Sequence, residues 1–185
     1  MKFKITTIII FLLFMAILPI SITSFNNTDN KSLAVNKTDQ NKEITYIVSS
    51  LHKEHYSKET IKAIAIICKN NYNISPKKRN TNTASYDNFD YILKIVESIS
   101  EYNFTYEDNN VYIPYSNVSN GTTFTDKKYS YIKSVASPWD VYNKNYDNKA
   151  KCVGVSLEGL NYLCQKGSSA EDALQWYLPG FVITK

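Results

Sequence analysis

The stretch Tyr46–Tyr72, YIVSSLHKEHYSKETIKAIAIICKNNY, decides how the chain is read. Tyr46 to Leu51 is β-branched and aromatic, which predicts a short strand or extended lead-in. Lys58 to Asn70 predicts a helix. Ser57 is placed to cap it, and Glu59 lies in the first turn, where a carboxylate faces the positive end of the helix dipole. Ile61, Ala65 and Cys68 recur at helical spacing, and Ile64 and Ile67 widen the stripe. Between the halves lies a polar elbow, His52-Lys53-Glu54-His55-Tyr56, which holds both histidines of the chain.

Upstream, Lys2 and Lys4 precede an uncharged apolar run from Ile5 to Ile22. This predicts an export signal over 1–24, read here as an uncleaved single-pass anchor rather than a cleaved peptide. Residues 25–43 are polar and predict a flexible tether. The remainder, 44–185, then forms one extracytoplasmic domain. Of 185 residues, 43% are hydrophobic and 21% charged, ordinary values for a globular chain. A net charge of +4 is too small to argue for nucleic acid and compatible with an anionic wall. There is no CxxC and no HExxH, so neither a structural zinc nor any other cofactor is expected. Cys152 and Cys164 are free to pair outside the cytoplasm or to remain thiols.

Downstream, Asn71–Ser85 predicts a loop with a basic triplet, Lys77-Lys78-Arg79. Phe89–Ser100 predicts a helix with Ile92, Ile95, Val96 and Ile99 on one face. Asn103–Glu107 and Val111–Tyr115 predict a hairpin turning at Asp108-Asn109-Asn110. Ser119-Asn120-Gly121-Thr122 is a small-residue loop suited to close approach by a ligand. Tyr131–Asp140 predicts a strand ending in a Pro-Trp turn, with Trp139 either a sugar platform or a turn anchor. A helix capped by Ser156 carries Leu157, Leu160, Leu163 and Cys164 and ends at Gly167. Ser168 to Glu171 has the S-x-x-E form of a capping box. A last helix to Leu178 and a strand, Phe181–Thr184, complete an α+β chain of a few helices on short antiparallel strands.

Five of these stretches, in order, resemble the stage II sporulation protein D family, which shares a domain with the amidase enhancers of bacterial walls. Glu59–Ala65, ETIKAIA, is similar to the family's E-A-L-K-A-Q-A. Ser119–Thr123, SNGTT, resembles S-N-G-x-T, and Tyr131–Asp140, YIKSVASPWD, resembles Y-L-K-S-V-x-S-P-W-D. Gly154–Gly167 resembles the G-H-G-V-G-M-S-Q-Y-G-A region, and ALQWYLPGFVI the I-L-x-x-Y-Y-P-G-x-x-I ending. The resemblance implies a membrane-anchored lytic transglycosylase of sporulation. It would act on peptidoglycan glycan strands beside an amidase or endopeptidase partner. Its catalytic glutamate falls on Glu54, with Glu59 as the fallback, and His55-Tyr56 replaces the family's Met-Pro. One carboxyl group suffices for that reaction. It protonates the leaving oxygen, then accepts the proton of the attacking C6 hydroxyl, and needs a pKa raised by apolar surroundings. The implied substrate contacts are Ser119, Asn120, Gly121, Thr122, Trp139, Lys151 and Ser156. Two positions depart from the family: Lys151 stands for its His and Leu157 for its Gln. The second expectation is therefore a non-catalytic wall-binding or enhancer protein that keeps the fold.

Overall fold

A computed structural model describes residues 39–76 and 87–185. The expected signal-anchor, most of the tether and the basic triplet 77–79 lie outside these residues. Among the described residues, no helix is long and apolar enough to cross a membrane. Residues 41–185 form one compact unit, and its class is α+β.

The first helix, α1, spans residues 39–51 of the described chain, where the sequence predicted a tether and then a strand. The helical period is visible once Ile44 is included. Ile44 and Val48 are buried, and Ile47 and Leu51 pack against the core, at i, i+3, i+4 and i+7. Packing of this face overrides the β preference of the branched residues. Tyr46 meets Phe89 with ring centroids 4.7 Å apart.

Helix α2, Lys58–Ile74, is the centre of the unit and packs on three later helices and a strand. Ser57 caps it as expected, accepting from the Thr60 amide. Its burial is wider than the predicted stripe, because Ala63 and Ile66 are also enclosed. A helix apolar nearly all round belongs in a core. Each buried isoleucine contributes roughly 1.5–3 kcal/mol, more than the small helix-propensity cost of a β-branched residue.

Helix α3, Phe89–Ser98, buries Ile92, Ile95 and Val96. Lys69 of α2 donates to the carbonyls of Ile99, Ser100 and Tyr102 beyond its end. Strand β1, Asn103–Tyr106, follows. The chain reverses at Glu107 and Asp108, both at positive φ, with mutual amide–carbonyl bonds between Tyr106 and Asn109 at 3.0 Å. This two-residue turn comes one position earlier than predicted. The hairpin then stops. β1 pairs antiparallel with the C-terminal strand β4, Phe181–Thr184, and not with 111–115. Side chains of α2 hold the latter segment instead. Asn70 donates to the Val111 carbonyl, and the Asn71 amide group bonds both the carbonyl and the N–H of Ile113.

Two-residue strands β2, Tyr115–Ser116, and β3, Val155–Ser156, pair in parallel. Gly154 makes this approach possible: a Cβ there would lie 2.1 Å from the Pro114 carbonyl oxygen. The predicted strand over 131–139 is reduced to a single bridge, Thr122 with Ala136. Thr123 takes its place by bonding the Val135 amide through its own hydroxyl. Pro138 then opens a 3₁₀ helix, Pro138–Tyr142.

Helix α4, Leu157–Gln165, is capped by Ser156 as predicted. It ends in a Schellman closure, with Gly167 at φ 100 and the amides of Gly167 and Ser168 on the carbonyls of Cys164 and Leu163. Ser168 is therefore committed to α4. The cap of α5, Ala170–Tyr177, is Ser169 paired with Asp172, one residue beyond the predicted Ser168–Glu171 box. Cys68, Cys152 and Cys164 are all free and buried. Burial pushes their thiols up, to about 12, about 11 and about 11 respectively.

Candidate functional site

Helix α4 presents a polar stripe on one side of its apolar face: Glu158, Asn161, Tyr162 and Gln165, at i, i+3, i+4 and i+7. These residues form one wall of a cleft of about 440 Å³. The 3₁₀ helix and its continuation, from Trp139 to Asn145, form the opposite wall, and His55 enters from the elbow.

Glu158 is the buried centre, only 5% exposed. Lys53 donates to its Oε1 and also to Asn117 Oδ1. Tyr56 reaches the same Oε1 at 3.4 Å. Oε2 receives Asn143 Nδ2 at 2.8 Å and lies 3.0 Å from His55 Nε2. Burial pushes this carboxyl upward, but hydrogen bonds and charge from Lys53 and His55 outweigh it and hold it below the ordinary carboxylate range. Glu158 is thus an ionised, fully solvated-by-protein group. Its four donors come from two separate parts of the chain, the elbow and Asn143, so it ties the elbow to the cleft's far wall.

The elbow's turn explains the position of Glu54. The Tyr56 amide bonds the Lys53 carbonyl. Lys53 and His55 point to Glu158, and Glu54 between them is exposed, with no side-chain partner among the described residues. The apolar surroundings expected for an acid/base carboxyl are absent from it. Glu59 accepts from the Ala170 amide at 2.9 Å, so it caps the start of α5, where a carboxylate is favoured. His52 bonds Asn88 and lies away from the cleft's lining; burial, then His55, lowers its pKa.

The SNGT loop acts from behind the cleft. Ser119 is fully buried, and its amide and hydroxyl both donate to Asp140 Oδ2, at 3.0 and 2.6 Å. Gly121, at φ 103, accepts from the Ser137 amide at 2.8 Å. Thr122 donates to the Val135 carbonyl, and Asn120 to that of Asn148. Ser137 completes a network, donating to Asp140 and meeting the Tyr177 hydroxyl, which also receives Trp139 Nε1 at 3.0 Å. Gly159 leaves room for it: a Cβ there would lie 2.0 Å from the Tyr177 hydroxyl. These contacts lock the 3₁₀ helix that carries the cleft's far wall.

Trp139 lines the cleft but is anchored, stacked on Tyr162 at 5.4 Å and tilted against Trp176 at 5.6 Å. Tyr142, 90% exposed, stands free at the rim. Ser156 is fully buried as the α4 cap, and Lys151 is exposed and outside the cleft's lining. Of the sequence-derived substrate contacts, the cleft therefore gathers only Trp139. It adds Glu158, Asn143, Asn161, Tyr142 and Gln165. For Glu158, Asn161 and Gln165 the signal was the i, i+3, i+4, i+7 polar stripe on an otherwise apolar helix; Tyr142 and Asn143 carry no such local signal.

No protein-family model matches this chain, and no curated protein matches it.

Proposed function

We propose that this chain is a peptidoglycan-remodelling protein of sporulation. It holds glycan strands in the cleft over Glu158 and assists another wall hydrolase without cleaving the strands itself. The sporulation and wall assignments rest on the sequence resemblance, as do the membrane anchor and the amidase partner. The observation that carries the non-catalytic choice is the state of the carboxylates. The cleft's buried carboxylate is neutralised by Lys53 and held ionised, the opposite of a group that must carry a proton at neutral pH. Glu54 is solvated outside. An aromatic wall, amide side chains at Asn143, Asn161 and Gln165, and no net charge on the floor suit a neutral, hydroxyl-rich ligand. Sedimentation of the protein with peptide-free glycan strands tests this. Tyr142→Ala and Gln165→Ala, both at exposed positions, are each expected to weaken retention about tenfold. Unchanged retention in both would remove the cleft from the account.

One observation favours the second reading, a lytic transglycosylase. His55 lies 3.0 Å from Glu158 at the cleft mouth, and an imidazole oriented by a carboxylate is the arrangement general acid–base chemistry uses. In that reading Glu54 is the acid/base and strand cleavage depends on it.

A further inference from the structure

A second cavity, about 780 Å³, shares no lining residue with the cleft. Ile47 of α1 and Cys68 of α2 contribute its apolar surface, and four tyrosines line it: Tyr72, Tyr112, Tyr115 and Tyr129. Tyr112 and Tyr129 stack at 6.0 Å with planes 24° apart. Lys128, the one charged residue in the lining among the described residues, sits 5.1 Å from the centre of the Tyr129 ring.

Three features decide what this cavity accepts. The hydroxyls of Tyr72, Tyr112 and Tyr115 have no hydrogen-bond partner among the described residues. They are donors and acceptors set on flat apolar faces, which suits pyranose rings. The adjoining backbone is already occupied. The carbonyls of Val111, Tyr112 and Ile113 accept from Asn70, Tyr131 and Asn71, and the Ile113 amide donates to Asn71. A peptide strand adding to this wall finds little left to pair with, so recognition falls to side chains. Lastly, the only lining charge among the described residues is positive and stands at an exposed position, which complements a carboxylate.

We infer that the tyrosine-lined cavity between α1, α2 and residues 112–129 is a second binding site, for a glycan bearing carboxylate groups. It stands independently of the cleft, since none of its residues touches Glu158.

Calorimetric titration of the full-length protein in detergent provides the test. The probes are short peptide-free glycan oligomers with free carboxylates and uncharged N-acetylglucosamine oligomers of equal length. Two sites are expected for the carboxylated probe, falling to one in Tyr112→Ala/Tyr129→Ala. Lys128→Glu, at a fully exposed position, is expected to weaken the second site about tenfold for the carboxylated probe and to leave the neutral one unchanged. Tyr142→Ala is expected to weaken the other site about tenfold and spare this one. A stoichiometry unaffected by the tyrosine pair, or a Lys128→Glu effect equal for both probes, overturns the inference. If Tyr142→Ala changes nothing while the tyrosine pair removes all binding, the cleft reading fails and this one stands.

Discussion

At the scale of single residues, the cleft depends on Glu158, a carboxylate with no local sequence signature of its role. Glu158 sits in a helix read from its leucines alone, and nothing local announces that Lys53, more than a hundred positions earlier, will meet it. Glu54 lies in the polar elbow between Lys53 and His55, yet those two turn inward to Glu158 while Glu54 faces solvent. Only the fold says which of the three turn inward. Lys53→Ala leaves Glu158 buried with fewer donors. It is expected to cost about 2 kcal/mol in urea unfolding, less than for a fully enclosed pair because Lys53 is 30% exposed. Lys53→Met with Glu158→Gln together is expected to recover most of that loss, because no unpaired charge remains.

A second carboxylate sets the acid sensitivity. Burial pushes Glu171 upward, but hydrogen bonds from Tyr102 and Lys62 bring it down to about 2. Glu158 is displaced in the same direction. A folded-state pKa below the ordinary 4.5 means that the unfolded chain takes up protons first as pH falls. Stability is therefore full above about pH 4.5 and declines towards pH 2. Thermal melts across that window are expected to fall more gently in Glu171→Gln, which starts less stable at neutral pH by roughly 2 kcal/mol. Identical slopes in the two proteins would dismiss Glu171 as the cause.

At the scale of elements, what the sequence carried locally was legible. Ser57, Ser156 and Gly167 mark helix ends through interactions within a few residues, and they sit where the sequence placed them. Misreadings arose where a distant partner decided. α1 is β-branched yet helical, because the core accepts a helical face at Ile44, Ile47, Val48 and Leu51. The segment after β1 looks like a hairpin arm, yet Asn70 and Asn71 capture it and β4 takes the strand's edge. The junction of α4, α5 and the 3₁₀ helix is the tightest of these long-range fits. Gly159→Ala would drive a methyl into Tyr177, Ser137 and Trp139 at once. It is expected to destabilise by about 3 kcal/mol. Trp139 and Trp176, the only two tryptophans, meet at this junction, so their fluorescence should shift as it loosens. An unchanged melt and emission would show that the network has slack.

At the scale of the molecule, the described unit brings five separate family-like stretches to one place, but mostly as scaffold. Ser119, Gly121, Ser137 and Asp140 brace the wall, Ser156 caps α4, and Glu59 caps α5. The cleft's lining comes partly from two of those stretches, through Trp139 and the polar stripe of α4, and partly from residues outside them, His55 and residues 142–145. A cleft whose buried carboxylate is paired with Lys53 accords with the binding role proposed above. The most direct measurement is mass spectrometry of peptide-free glycan strands after incubation with the full-length protein. Strands are expected to be retained and released intact, without anhydro ends. Anhydro-ended products that disappear in Glu54→Gln would contradict the binding role.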